Sequence, residues 1–329
     1  MSQQSCRTLS LLFAVVGALV AAPRVNASIL TVGPGKMYKT VASAVAAARD
    51  GDVVRVQAGT YTNDFAYVNK QISIVGVGGM ARMVATQNIP NGKAIFVTSN
   101  NVTLNHIEFA GARVADANGA GIRYEGGNLV IKKCYFHDNE NGILATSVET
   151  GSIVIGSSEF ASNGRGDGYT HGVYVNRIAS LRVLNSYFHN TKVGHHIKSR
   201  ALQTTIRGNR IDDGINGTAS YNIDLPNGGV SVVADNNIVQ RATSQNPALI
   251  HFGGEGTPYA GSSLRVANNT LQNFRSSATG VLNHTSITVT INGNKLYGLP
   301  TVASGPNSQS NNTVLSTPVP VDTSSPWMN

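Results

Sequence analysis

The chain has 329 residues, of which 13% are charged and 6% aromatic, with 35 glycines. That is too neutral for a disordered chain and too rich in Gly and Asn for a helical one, so a turn-rich β protein is expected. The net charge of +8 carries no Lys/Arg run and no aromatic–basic interleaving, which argues against nucleic acid as the partner.

Residues 1–27 read as an export signal. Arg7 supplies the positive region, Leu9 to Ala22 the apolar run, and Val25, Asn26 and Ala27 a small-residue cleavage site before Ser28. The apolar run is short for a membrane span and no second one follows. A secreted or periplasmic protein, free of the membrane after cleavage, is therefore expected. Arg7 and Arg24 leave with the signal and no acid does, so the net charge falls from +8 to +6. An exported basic protein suits an acidic polysaccharide as partner. Cys6 belongs to the signal, which leaves Cys134 alone and no intramolecular disulfide. Stability must come from a large core, and a monomer is expected.

Next comes a loop at Val32 to Gly35, an N-cap at Thr40 and a short apolar helix from Val41 to Ala48. A strand at Val53 to Val56 and a turn at Ala58 to Tyr61 follow. One pattern then recurs, as Val102, Leu104, Ile107, Phe109; Leu129, Ile131, Cys134, Phe136; Ile153, Ile155, Ser158, Phe160; and Leu181, Val183, Ser186, Phe188. Later copies close at Ile211, Ile238, Leu271 and Leu296, and the closing residues step 27, 24, 28, 23, 27, 33 and 25 along the chain. Eight copies at this spacing predict a solenoid. No Leu-rich consensus is present, and short β-branched strands between Asn and Gly predict a single-stranded parallel β-helix of about ten coils, stacked about 4.8 Å apart. The column Ile107, Cys134, Ser158, Ser186, Asn209, Asn236, Asn269, Asn294 reads as an inward ladder of structural hydrogen bonds, with no redox role for Cys134. The β-helix is bounded at 28–300, and the Ser/Thr/Pro-rich residues 301–329 are expected as a loose tail able to wrap back over the last coil, with Val314, Leu315 and Val319 to Val321 as candidate last apolar strips.

The opening from Val32 to Tyr61, followed by these coils, resembles secreted right-handed β-helix proteins of the pectate-lyase-like (pectin lyase fold) superfamily. The resemblance implies an all-β, right-handed solenoid whose N-terminal helix caps the first coil. An uncovered coil would expose apolar core and unpaired strand edge.

A second strand precedes each copy. Aligned on Ile122, Ile143, Val173, Ile197, Ile223, Ile250 and Val281, these strands point Arg123, Leu144, Tyr174, Lys198, Asp224, His251 and Leu282 outward in one row. Tyr174, Lys198, Asp224 and His251 would occupy four successive coils, spanning about 14 Å. His196 and Asn222 would flank the row on one side, Asn176 and Arg200 on the other, with His284 beyond and His171 and His195 bordering it. A slip of one residue would turn a coil's side chains inward.

Such a row suits β-elimination on a uronate. That reaction needs a cation on the carboxylate, a base at the C5 proton and a proton for the leaving oxygen. Arg200 fits the carboxylate. Lys198, crowded by Arg200, is the expected base, with Tyr174 or His251 as proton donor and His196 completing the catalytic set. Asp224 would orient Lys198 or a histidine, and Asn176, Asn222, His171 and His195 would bind substrate. The bland alternative is a surface Asp224–Lys198 ion pair, worth about 0–1 kcal/mol. His106, His137 and His189 read as ordinary turn or surface residues. No spacing reads as a zinc motif, Asp167 and Glu255 are too few to specify calcium, and no cofactor is expected.

Cleavage of an acidic polysaccharide by elimination is the preferred function. A polygalacturonase-type hydrolase needs paired carboxylates, and the row offers only Asp224. The Asp-Pro-His-Asp motif of mannuronan epimerases is absent. The rival from another class is a non-catalytic polysaccharide-binding or envelope protein, since fold alone does not fix a reaction.

Overall fold

The computed structural model describes residues 27–328. The expected export signal therefore lies outside the described residues, save for Ala27. No helix among the described residues is long and apolar enough to cross a membrane.

Most strands are three to five residues long, and each pairs in parallel with its counterpart on the coils before and after. One face is a ten-stranded sheet running from Ala66–Val68 to Thr301–Ser304. Two further faces are joined near the start by the long strands Val53–Thr62 and Ile72–Val84. The chain is thus a β-helix of about 11 turns, with the right-handed crossover that parallel strands almost always take. Val41–Ala47 is the helix at the entry, and Thr40 Oγ1 accepts from the Ser43 N–H at 3.2 Å as its N-cap. Val41, Ala44 and Val45 are buried against the first coil, which closes that end.

Alternation does the rest. In Asn128–Lys132 the second and fourth residues, Leu129 and Ile131, are buried and the flanking ones are exposed. Phe109, Phe136, Phe160 and Phe188 stack in the interior with ring centroids 4.9, 4.6 and 4.6 Å apart. Each such pair adds about 0.5–1.5 kcal/mol beyond its buried area. The asparagine ladder is present. Asn236 Oδ1 accepts the backbone and side-chain N–H of Asn209, while Asn236 Nδ2 donates to Ile206 O and Asn269 Oδ1. The ladder starts where Ser158 accepts from Cys134 and runs one coil further than expected, to Asn312. Cys134 is sealed in the core, where burial pushes its thiol up to about 12.

Beyond residue 300 the structure differs from the expected loose tail. Thr301–Ser304, Asn307–Ser310 and Thr313–Val314 add a further coil. A ladder needs only backbone N–H and C=O groups, so Ser and Asn suffice where one side of the coil faces solvent. From Leu315 the chain runs back across the coils. Val319 exchanges two hydrogen bonds with Gln272, Arg210 donates to Ser324 O at 2.7 Å, and Trp327 Nε1 donates to Glu159 at 2.8 Å.

Candidate functional site

The row exists in the expected register. Tyr174 pairs with Lys198, Lys198 with Asp224, and Asp224 with His251, with Leu144 before and Leu282 after. Ile197, Ile223 and Ile250 point into the core and hold the opposite side chains outward. The strands involved are Val173–Val175, Ile197–Ser199, Ile223–Leu225 and Ala248–Phe252.

Asp224 is the hub. Its Oδ1 accepts from His251 Nδ1 at 2.7 Å, and its Oδ2 lies 3.3 Å from His195 Nε2 and 3.2 Å from Lys198 Nζ. Burial alone would raise its pKa. The His251 hydrogen bond and the nearby charges outweigh that and bring it to about 2. The pair is therefore not the surface salt bridge of the bland alternative: the Asp224 side chain is 3% exposed and that of Lys198 13%.

His171 and His195 join the row. Their rings stack at 4.9 Å, followed by Tyr221 at 5.3 Å and His251 at a further 4.4 Å. His171 Nδ1 accepts the His195 N–H at 3.0 Å, and His195 Nδ1 accepts the Tyr221 N–H at 3.1 Å. Each ring is thus pinned by the backbone of the next coil. With Nδ1 an acceptor, the proton of neutral His195 sits on Nε2, facing Asp224. Burial lowers His195 to about 4 and His171 well below its ordinary value, so both are neutral at pH 7.

Two expected flanking residues are not on this face. His196 and Asn222 are fully buried. The strands begin only at Ile197 and Ile223, so alternation cannot be extended back to His196 and Asn222. His196 Nε2 instead donates to Asp213 Oδ1 at 3.0 Å, and its Nδ1 lies 2.8 Å from Thr191 Oγ1. Asn222 Nδ2 donates to the same Asp213 oxygen at 2.9 Å, and Asp213 Oδ2 accepts from Ser244 and from the Arg241 N–H. These residues form an internal network away from the row, in which Asn222 Oδ1 is left without a partner. Asn176 lies in the column of Arg200 but turns its oxygen to the Arg177 N–H. His284 sits edge-on to His251 at 5.0 Å.

At the other end of the row, Arg200 Nε donates to the Tyr174 hydroxyl at 3.1 Å. The Lys198 ammonium and the Arg200 guanidinium lie 5.6 and 5.7 Å from the centre of the Tyr174 ring. The unexpected member is Glu255, from the Gly-rich loop after the His251 strand. Its carboxylate meets Arg200 NH2 at 2.6 Å and Lys198 Nζ at 3.3 Å. Lys198 is thus flanked by two carboxylates as well as by Arg200. Asn227, accepting from Arg200, and Tyr259, donating to Arg200 O at 2.6 Å, were also missed. All three come from loops, where period-two reasoning is silent; the Gly253 to Gly256 run was the one available signal. Asp167 Oδ1 accepts from the Tyr169 N–H at 2.9 Å and from the Thr170 hydroxyl at 3.0 Å. Among the described residues no group of three or more His, Cys, Asp or Glu side chains has metal-holding geometry.

The model of a family described as "Right handed beta helix region" matches residues 84–211. A search of curated proteins by sequence finds no match. Among solved structures, an alginate lyase from Paenibacillus sp. str. FPU-7 is similar, with a TM-score of 0.62 at 14% identity over 87% of this chain and 99% of that one. Pectate lyase Pel9A is similar as well, with a TM-score of 0.51 at 15% identity over 88% of this chain and 79% of that one. The fold of this chain is therefore the pectin-lyase-like β-helix that its sequence resembles.

Proposed function

We propose that this chain is an exported enzyme that cleaves an acidic, uronate-containing polysaccharide by β-elimination. One observation carries the proposal: Lys198 and Arg200 jointly hold a carboxylate, that of Glu255, beside the Tyr174 hydroxyl. A uronate carboxylate placed there would be neutralised by two cations, which stabilises the charge that develops when its C5 proton leaves.

Proximity assigns the proton transfers. C5 and the leaving oxygen lie within about 4 Å of a uronate's carboxylate, and a proton-transfer group must come within hydrogen-bond reach. Tyr174 and Lys198 flank that position. His251 is three coils from Tyr174, about 14 Å along the axis, and it contacts the far oxygen of Asp224. Its part is to position Asp224, which in turn fixes Lys198. In the reaction Lys198 serves as one of the two cations, so the ionised Tyr174 oxygen, facing Arg200 Nε, takes the C5 proton, the electron pair forms the C4–C5 double bond, and the C4–O bond breaks. The departing oxygen then receives a proton from the Lys198 ammonium. Lys198→Arg keeps the cation on the carboxylate but replaces the ammonium with a far weaker acid, so it should slow turnover while binding persists; unchanged activity would move protonation of the leaving oxygen away from Lys198.

Hydrolysis fits less well. A glycosidase needs one carboxylic acid with a raised pKa to protonate the leaving group. Asp224 is lowered to about 2, and the Arg200 hydrogen bond and nearby cations outweigh burial to lower Glu255 too. Both carboxyls are therefore held ionised.

The test is to incubate the mature protein with polygalacturonate, polymannuronate, polyguluronate and bacterial exopolysaccharides, following ultraviolet absorbance from the new double bond. Absorbance should rise with at least one, and Tyr174→Phe and Arg200→Ala should each lower the rate by about 10²–10⁴-fold. New reducing ends without absorbance would establish hydrolysis. Binding with neither signal would make the protein a polysaccharide-binding module.

A further inference from the structure

We infer that Glu255 is a built-in competitor of the substrate: its carboxylate occupies the place of the sugar's, and the loop that carries it must move aside for a uronate to bind. The inference rests on the proposed carboxylate-binding role of Lys198 and Arg200.

Four observations converge on it. Glu255 is half exposed, with its side chain 48% accessible, yet it reaches into two cations that are 13% and 15% accessible. An acid left on a surface loop for solubility would not be satisfied by the two best cations of the row. The loop is also attached in a way that permits removal. Glu255 is held by its N–H to Pro226 O at 2.8 Å and by Asn227 Nδ2 to its own carbonyl at 3.1 Å, and residues 254–258 are all exposed. Gly253 and Gly256, at φ +76° and +88°, bracket it in the left-handed region that glycine enters without strain. Finally, the loop lies directly on the row. A Cβ at Gly254 would sit 2.3 Å from His251 Nε2 and Cε1, so the backbone there touches the ring. Closed, the loop covers the His251 end and latches onto the Lys198–Arg200 end.

A uronate entering this site exchanges one carboxylate for another on the same two cations. A neutral glycan would have to break both ion pairs and bring nothing to replace them. Glu255 therefore sets a threshold that favours anionic chains, specificity achieved by penalising the wrong ligand. It also lowers apparent affinity for the right one, because only the open fraction of the protein can bind.

The experiment compares full-length proteins carrying Tyr174→Phe, which stops turnover, with and without Glu255→Gln. Binding of tetramers of galacturonate, mannuronate and guluronate is measured by titration calorimetry, and hydrogen exchange of the Glu255 N–H is followed with and without ligand. Glu255→Gln should tighten binding by about 10-fold, and ligand should speed exchange at Glu255 as its bond to Pro226 opens. Weaker binding would make Glu255 a substrate contact, and unchanged binding a bystander; either overturns the inference while leaving the carboxylate site standing. If neither protein binds any tetramer, and the polymers are not cleaved, the carboxylate site itself is refuted together with Glu255's role.

Discussion

The most consequential single side chain is Asp224, because three partners from the coils on both sides converge on it. Its lowered pKa and that of His195 make the stability of the site depend on pH in one direction. An acid whose folded pKa lies below its unfolded value stabilises the fold above the unfolded value, and that contribution is lost as pH falls towards about 2. His195 is lowered from 6.5 to about 4 by burial. Between those values the unfolded chain binds the proton more readily, so stability is complete above pH 6.5 and declines down to pH 4. The thermal midpoint should thus fall from pH 7 to pH 4, and His195→Asn should flatten that decline. A midpoint equally steep in the variant would mean that other groups dominate. The residues also show where sequence reading reached its limit. Tyr174, Lys198 and Asp224 were legible because each neighbours an inward Ile or Val. His196 was misplaced because its strand is only three residues long, too short for the alternation to reach it. Glu255 was legible only as an acid in a Gly-rich loop; what it touches depends on a fold-back across two coils that no local pattern encodes.

At the scale of the elements, the ladder at the strand corners does what disulfides do elsewhere. Asn209, Asn236, Asn269 and Asn294 each bond to coils on both sides, so the loss of one is felt twice. Asn236→Ala would strand the Asn209 donors and the Ile206 carbonyl in the core, each buried unpaired group costing about 1–3 kcal/mol. The denaturation midpoint should fall accordingly, by clearly more than for Asn292→Ala, whose side chain bonds near the exposed final coil. Equal losses would show that water replaces the ladder. This column could be read from sequence because its residue type repeats at the coil period. The stack of Phe109, Phe136, Phe160 and Phe188 was legible for the same reason. The extra coil after residue 300 was not, since its Ser, Thr and Asn residues carry no apolar signature and are recruited by the backbone of the coil before them.

The molecule as a whole behaves as a one-dimensional stack in which each coil contacts its neighbours. Such stacks fold by adding near partners, and most of the pairings here join residues about 25 apart. The returning C-terminal segment breaks that rule. Trp327 meets Glu159 across a separation of 168 residues. Closing a loop of that length costs about 1.7 kcal/mol more than closing one of 25, and its docking surface does not exist until the coils are stacked. The segment should therefore settle last and leave first, giving the protein a kinetic step that its coils alone would lack. Trp327 is the only tryptophan in the chain, so its fluorescence reports that step without labelling. In refolding experiments it should change in a phase slower than the recovery of β-sheet ellipticity; a single shared rate would mean that the segment and the stack form together.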